Sequence, residues 1–233
     1  MTERLGLTRR HFAAGLASLG FSGLGLAGPA YASALGPRLG APVARVVTRR
    51  SPIKAEHPAL DRRLQKDASI YLRDRISTGK GGYCELELVA GGVVRIGPNT
   101  TVLIDKFVGD IRFPKTVHLK VEAAGGVRYL PDPTPKLPPG FEPFRLSLET
   151  PLGTINGRAS DLWVGRLDGS YTVYVNKGAA EVVNFAGSQT IDQSGLGIKL
   201  RDQAAAPPLP VPFRDRQLER IAASVAVPTG LEF

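Results

Sequence analysis

The 233-residue chain carries one cysteine, three histidines, one tryptophan and one methionine. A single cysteine excludes an internal disulfide framework and a thiolate-rich zinc site, and three histidines argue against a histidine metal cluster. No metal and no cofactor is expected on these grounds. Long apolar runs are missing as well. The one apolar stretch, Phe12 to Ala27, is interrupted by Gly15, Gly20, Gly23 and Gly25, and a membrane-spanning helix needs ~20 strongly apolar residues. No transmembrane anchor is expected. Against these absences stand 42% hydrophobic and 22% charged residues, enough for a folded core. Gly 27 and Pro 19 favour many turns over long helices.

The first 32 residues read as a cleavable export signal. Arg4, Arg9 and Arg10 precede the apolar stretch, and the small-residue sites at Ala30, Ala32 and Ala34 follow it, so cleavage is expected after Ala32 or Ala34. Thr8-Arg9-Arg10-His11-Phe12 resembles the bacterial twin-arginine signal, with Arg9 and Arg10 as the recognised pair. Ala13 and Ala14 depart from that pattern and leave the general secretory route open. No cysteine stands near the cleavage site to carry a lipid. The expected location is the periplasm. The glycines at Gly23, Gly25 and Gly28 nominally match a dinucleotide fingerprint, but a signal core precedes them and Pro29 follows, so that reading fails.

From Ser33 to Ala55 the chain reads as a basic, proline-containing arm. Beyond it the period becomes that of strands. Cys84, Leu86 and Leu88 alternate with polar neighbours, Gly91-Gly92 turns the chain, and Val94 and Ile96 return. Val117, Leu119 and Val121 repeat the pattern, as do Leu146 and Leu148. Asp168-Gly169 is a strong hairpin signal between Leu162-Trp163-Val164 and Tyr171 to Val175. Short strands joined by glycine turns predict an all-β antiparallel sandwich or roll. Pro131 to Pro143 holds six prolines in thirteen positions, too many for a strand that must donate hydrogen bonds, and reads as an exposed loop. A second proline-rich stretch, Pro207 to Pro212, leads into residues 213–225, where Leu218, Ile221 and Ala222 have helical spacing. One short C-terminal helix is expected there.

Arg75-Ile76-Ser77-Thr78-Gly79, Ile96-Gly97-Pro98-Asn99-Thr100, Thr150-Pro151-Leu152-Gly153-Thr154-Ile155 and Lys177-Gly178 to Asn184, in this order, resemble the steps of FecR-type domains over residues 56–202. The family's arginine-glycine-threonine step appears here as Gly157-Arg158-Ala159-Ser160. The resemblance implies an exported, non-catalytic domain that binds a partner, as the sensing part of a signalling system whose membrane-spanning component is a separate protein. The implied partners are an envelope or inner-membrane signalling protein, or an envelope glycan or lipid.

Catalytic constellations are sparse. The mature chain offers only His57 and His118 as imidazoles, and no Gly-x-Ser-x-Gly elbow occurs; an enzyme is not expected. Cys84 reads either as a small buried hydrophobe or as a free reactive thiol. Trp163 must face away from Leu162 and Val164. It lies on a second buried face, or it joins Arg158, Asp161, Tyr171 and Tyr174 in an aromatic and charged partner surface. The formal net charge of +9 suggests a nucleic-acid binder at first sight. Residues 33–66, however, hold eight Lys or Arg against two acids, and residues 67–233 hold nineteen against eighteen. With the basic character confined to signal and arm, no nucleic-acid role is expected. The alternative is a structural or assembly factor attached to anionic envelope surface through the arm.

Overall fold

The computed structural model describes residues 39–123, 125–133 and 137–227. The expected signal, with Arg9, Arg10, Ala30 and Ala32, lies outside these residues. The described chain forms two nine-stranded sheets and one short helix, an all-β fold as its alternation predicts.

The chain visits the two sheets in turn. Strand β1 (Ala44–Arg50) lies in sheet A; β2 (Ile53–Glu56) and β3 (Arg62–Leu64) lie in sheet B. After β4 (Ser69–Ile70) in sheet A and β5 (Arg75–Thr78) in sheet B, hairpins alternate. Sheet A takes β6 (Tyr83–Leu88) and β7 (Val93–Ile96), and sheet B takes β8 (Thr101–Gly109) and β9 (Pro114–Ala123). Sheet A then receives the lone strand β10 (Val127–Leu130). The hairpins resume with β11 (Arg145–Thr150) and β12 (Gly153–Arg158) in B, β13 (Asp161–Leu167) and β14 (Ser170–Lys177) in A, and β15 (Ala180–Asn184) and β16 (Gly187–Ile191) in B. Strands β17 (Leu196–Leu200) and β18 (Val211–Pro212) close sheet A, and helix α1 (Asp215–Ser224) follows.

The single visit at β10 sets the architecture. No returning strand of sheet A follows β10, which pairs directly with β13, and the prolines from Pro131 on lack the N–H groups a ladder requires. The chain therefore crosses straight to sheet B, and β11 enters parallel to β9, pairing Arg145 with Thr116 and Leu148 with Leu119. The other ladders are antiparallel. Residues 131–133 and 137–144 thus lie over one end of the sandwich as a strap, and from there on the chain changes sheets at the strap end rather than at the opposite end.

Alternate residues of both sheets meet in one core. Val46, Leu86, Ile96, Val164 and Val173 of sheet A and Ile53, Ile76, Ile104, Leu148 and Val182 of sheet B are fully buried there. The turn at Asp168-Gly169 has φ of 52° and 80°, the left-handed pair that a two-residue hairpin loop with matching twist requires.

The expected arm over 33–55 is corrected for its second half. Strand β1 pairs with β6 and β4, β2 pairs with β3 and β5, and Val43, Val46, Ile53 and Ala55 belong to the core. Its basic side chains decorate strand faces. Arg45 binds Asp67 at 2.6 Å and Glu87 at 2.8 Å, and Arg50 Nε donates to the Gly81 carbonyl at 2.9 Å. Further along, beyond the arm, Arg62 meets the fully buried Asp74. The expected C-terminal linker likewise contributes β18 to sheet A before the helix begins.

Helix α1 covers the outer face of sheet A. Trp163, Leu167 and Tyr174 from the sheet pack against Phe213, Leu218, Ile221 and Val225 in a second apolar cluster. Its floor is built of glycines: a Cβ on Gly165 would lie 2.7 Å from the Trp163 ring, and one on Gly126 would lie 2.8 Å from Ser224 Oγ. Only a bare backbone lets the indole lie flat between sheet and helix.

Candidate functional site

A cleft of about 510 Å³ opens under the strap, within the ~300–1,000 Å³ typical of ligand pockets. It is assembled where the chain changes its crossing end. Ala90 and Gly91 come from the β6–β7 turn, Phe113 from the β8–β9 turn and Pro114 from the start of β9, Tyr129 to Pro133 from β10 and the strap's beginning, and Leu137 and Glu142 to Phe144 from its end. Ala159 and Asp161 at the β12–β13 crossing and Lys177 at the end of β14 complete it.

The walls are aromatic and proline-rich. Tyr129 and Phe144 pack at 5.9 Å between ring centroids and Phe113 and Phe141 at 5.3 Å, both pairs tilted by 55°, the inclined geometry aromatic pairs prefer. Phe141 is half exposed. Burial, and secondarily the charge of Asp132, push the Tyr129 phenol above its usual range, so it serves as a neutral hydroxyl.

The polar groups are held in fixed positions. Asp161 accepts from Arg128 Nε at 2.8 Å and Nη2 at 2.7 Å, and from Asn176 Nδ2 at 2.8 Å. The Asp161 bonds raise the Arg128 guanidinium further above its normal value, and such a bidentate pair fixes both side chains. Arg158 Nη1 donates to Glu142 Oε2 at 2.6 Å, tying the strap to β12. At the lip, Ala159 has φ of 48°, a left-handed conformation costing a non-glycine residue about 1 kcal/mol. The neighbouring Ser160 hydroxyl holds it by donating to Arg158 O at 2.9 Å and accepting from Ala179 N at 3.2 Å.

The five residues expected to form a partner surface are not gathered on one face. Trp163 and Tyr174 lie beneath α1: Trp163 Nε1 donates to Ser224 Oγ at 2.9 Å, and Tyr174 stacks on Phe213 at 5.5 Å. Tyr171 points into the main core. Asp161 lines the cleft and Arg158 supports it. Sequence reasoning missed Phe113, Tyr129, Leu137 and Phe144. The signal that could have found them is the clustering of aromatics around a proline-rich strap, here read only as an exposed loop.

The remaining candidates lie away from the cleft. Cys84 is fully buried, and burial pushes its thiol up to about 12. His57 Nδ1 accepts from Ala59 N–H at 3.1 Å while its Nε2 lies 3.0 Å from Leu72 O. His118 lies on the outer face of sheet B, where burial and then Lys106 lower its pKa. Among the described residues, no three His, Cys, Asp or Glu side chains are placed to hold a metal, and no helix is long and apolar enough to cross a membrane.

No protein-family model matches the chain, and no curated protein matches it. Among solved structures it is similar to a proposed anti-sigma factor from Parabacteroides distasonis ATCC 8503, seen in two crystal structures at 1.65 and 2.50 Å resolution. Each match has 12% sequence identity and a TM-score of 0.47, and covers 62% of this chain and 62% of that chain. At that score the likeness carries no functional inference.

Proposed function

We propose that the chain is a non-catalytic, exported FecR-type domain that binds a partner protein or envelope component in the cleft under the strap. In this reading it is the sensing part of a signalling system whose membrane-spanning component is a separate protein. The observation that carries the binding role is the cleft itself. It is an aromatic- and proline-lined cavity with a small number of fixed polar groups, the composition of a recognition site.

Such walls suit a partner segment that offers apolar or proline-rich surface to the rings and one or two polar groups to Asp161 and Lys177. The experiment is affinity capture from envelope extract with the wild-type protein, Phe113→Asp and Phe185→Asp. Phe185 is 90% exposed on the β15–β16 turn, remote from the cleft lining. A specific partner retained by wild type and Phe185→Asp and lost with Phe113→Asp is the expected result. Equal capture by all three contradicts the assignment.

A further inference from the structure

At the end of the β13–β14 hairpin opposite the strap, a second cavity of about 570 Å³ is lined by Asp168, Lys199, Arg214, Arg216, Gln217 and Arg220. Four cations surround one carboxylate. Asp168 is fully engaged within the cluster: Gln217 Nε2 donates to it at 3.1 Å, Arg220 binds its other oxygen, and Lys199 Nζ lies 3.8 Å away. Those contacts, Gln217 first, hold its carboxyl below the usual range. Among the described residues neither Arg214 nor Arg216 has a carboxylate within ion-pair distance.

The run that leads into Arg214 is apolar and exposed: Leu209 is 75% accessible, and Val211, in the edge strand β18 opposite Gly197, is 49% accessible. Cations with free charge beside exposed aliphatic side chains are the chemistry of a peripheral contact with an anionic bilayer, where the charges meet headgroups and the aliphatics enter the interface. A soluble anion or a nucleic-acid backbone would use the cations but not Leu209 and Val211. We infer that this end of the molecule seats on anionic lipid headgroups through Lys199, Arg214, Arg216 and Arg220. Asp161 opens β13 and Asp168 follows its last residue, about 20 Å away at strand rise, so a molecule seated in this way holds its cleft away from the bilayer. The inference concerns a different site from the cleft and stands or falls separately from it.

The test is co-sedimentation of the full-length protein with phosphatidylcholine vesicles with and without phosphatidylglycerol, at low and high salt. The variants are Arg214→Gln/Arg216→Gln and, as a control of equal charge loss, Lys54→Gln/Arg63→Gln on β2 and β3. Arg220 and its bond to Asp168 are left intact so that α1 stays docked. The phosphatidylglycerol-dependent partition should fall roughly tenfold or more in the first variant, vanish at high salt and persist in the control. If Trp163 emission shows that α1 has loosened, Leu209→Gln, which lies outside the helix, carries the test and should weaken the same partition. Equal losses in site and control variants would mean that only overall charge matters. Indifference to phosphatidylglycerol, or saturable binding of inorganic phosphate without vesicle partition, would likewise overturn the inference.

Discussion

The indole nitrogen of Trp163 donates to the hydroxyl of Ser224 at 2.9 Å, joining residues 61 positions apart. Ser224 Oγ in turn donates to Ile221 O at 2.7 Å, so the bond clamps the last turn of α1 onto the glycine floor of sheet A. Ser224→Ala strands a buried N–H, and the expected loss is about 1–3 kcal/mol. Chemical denaturation followed by Trp163 fluorescence measures it; Trp163→Ala, which removes the one tryptophan and is followed by circular dichroism instead, should cost more, about 3–5 kcal/mol.

Ala159 offers the opposite sign. Its left-handed backbone is one that glycine adopts without strain, and no helix or strand hydrogen bond depends on its methyl group. Ala159→Gly is expected to raise stability by up to about 1 kcal/mol. A denaturation midpoint lower than that of the wild type would show that the crossing is not strained.

The first two strands separate a folded entry from a free arm. Deleting residues up to Pro42 should leave the melting transition in place, because Val43 is the first core residue. Deleting residues up to Glu56 removes β1 from between β4 and β6 and β2 from between β3 and β5, and should abolish cooperative unfolding. An unchanged transition in the longer deletion would restore the arm.

Cys84 gives a pH-dependent prediction. A thiol pushed up to about 12 remains protonated at mildly alkaline pH, and only the thiolate attacks an alkylating or disulfide reagent. A group whose folded pKa is raised stabilises the fold below its unfolded value, near 8.5, and loses that contribution as pH rises toward the folded one. Labelling should therefore be negligible at pH 8 until denaturant is added, and stability should decline above about pH 8.5. Stoichiometric labelling of the folded protein would contradict the burial.

The sandwich was legible because its interior strands alternate cleanly, as Cys84, Leu86 and Leu88 do, and because Asp168-Gly169 admits few alternatives to a hairpin. Strand β1 was not, for a physical reason: its register shifts between Val46 and Thr48, which breaks the two-residue period just where Arg45, Arg49 and Arg50 suggest a solvated arm. The fate of Trp163 was hidden because its cover comes from a helix that local sequence cannot place. The cleft was hidden because its lining converges from six turns and strand ends. Only the fold brings Phe113, Tyr129, Leu137 and Asp161 together.

Photo-crosslinking in intact cells tests the central claim most directly, with a photoreactive amino acid placed at Leu137 in the cleft lining and, separately, at Phe185 on the remote turn. The account predicts one envelope species joined from position 137 and absent from position 185. No adduct at 137, or the same adducts from both positions, would contradict it.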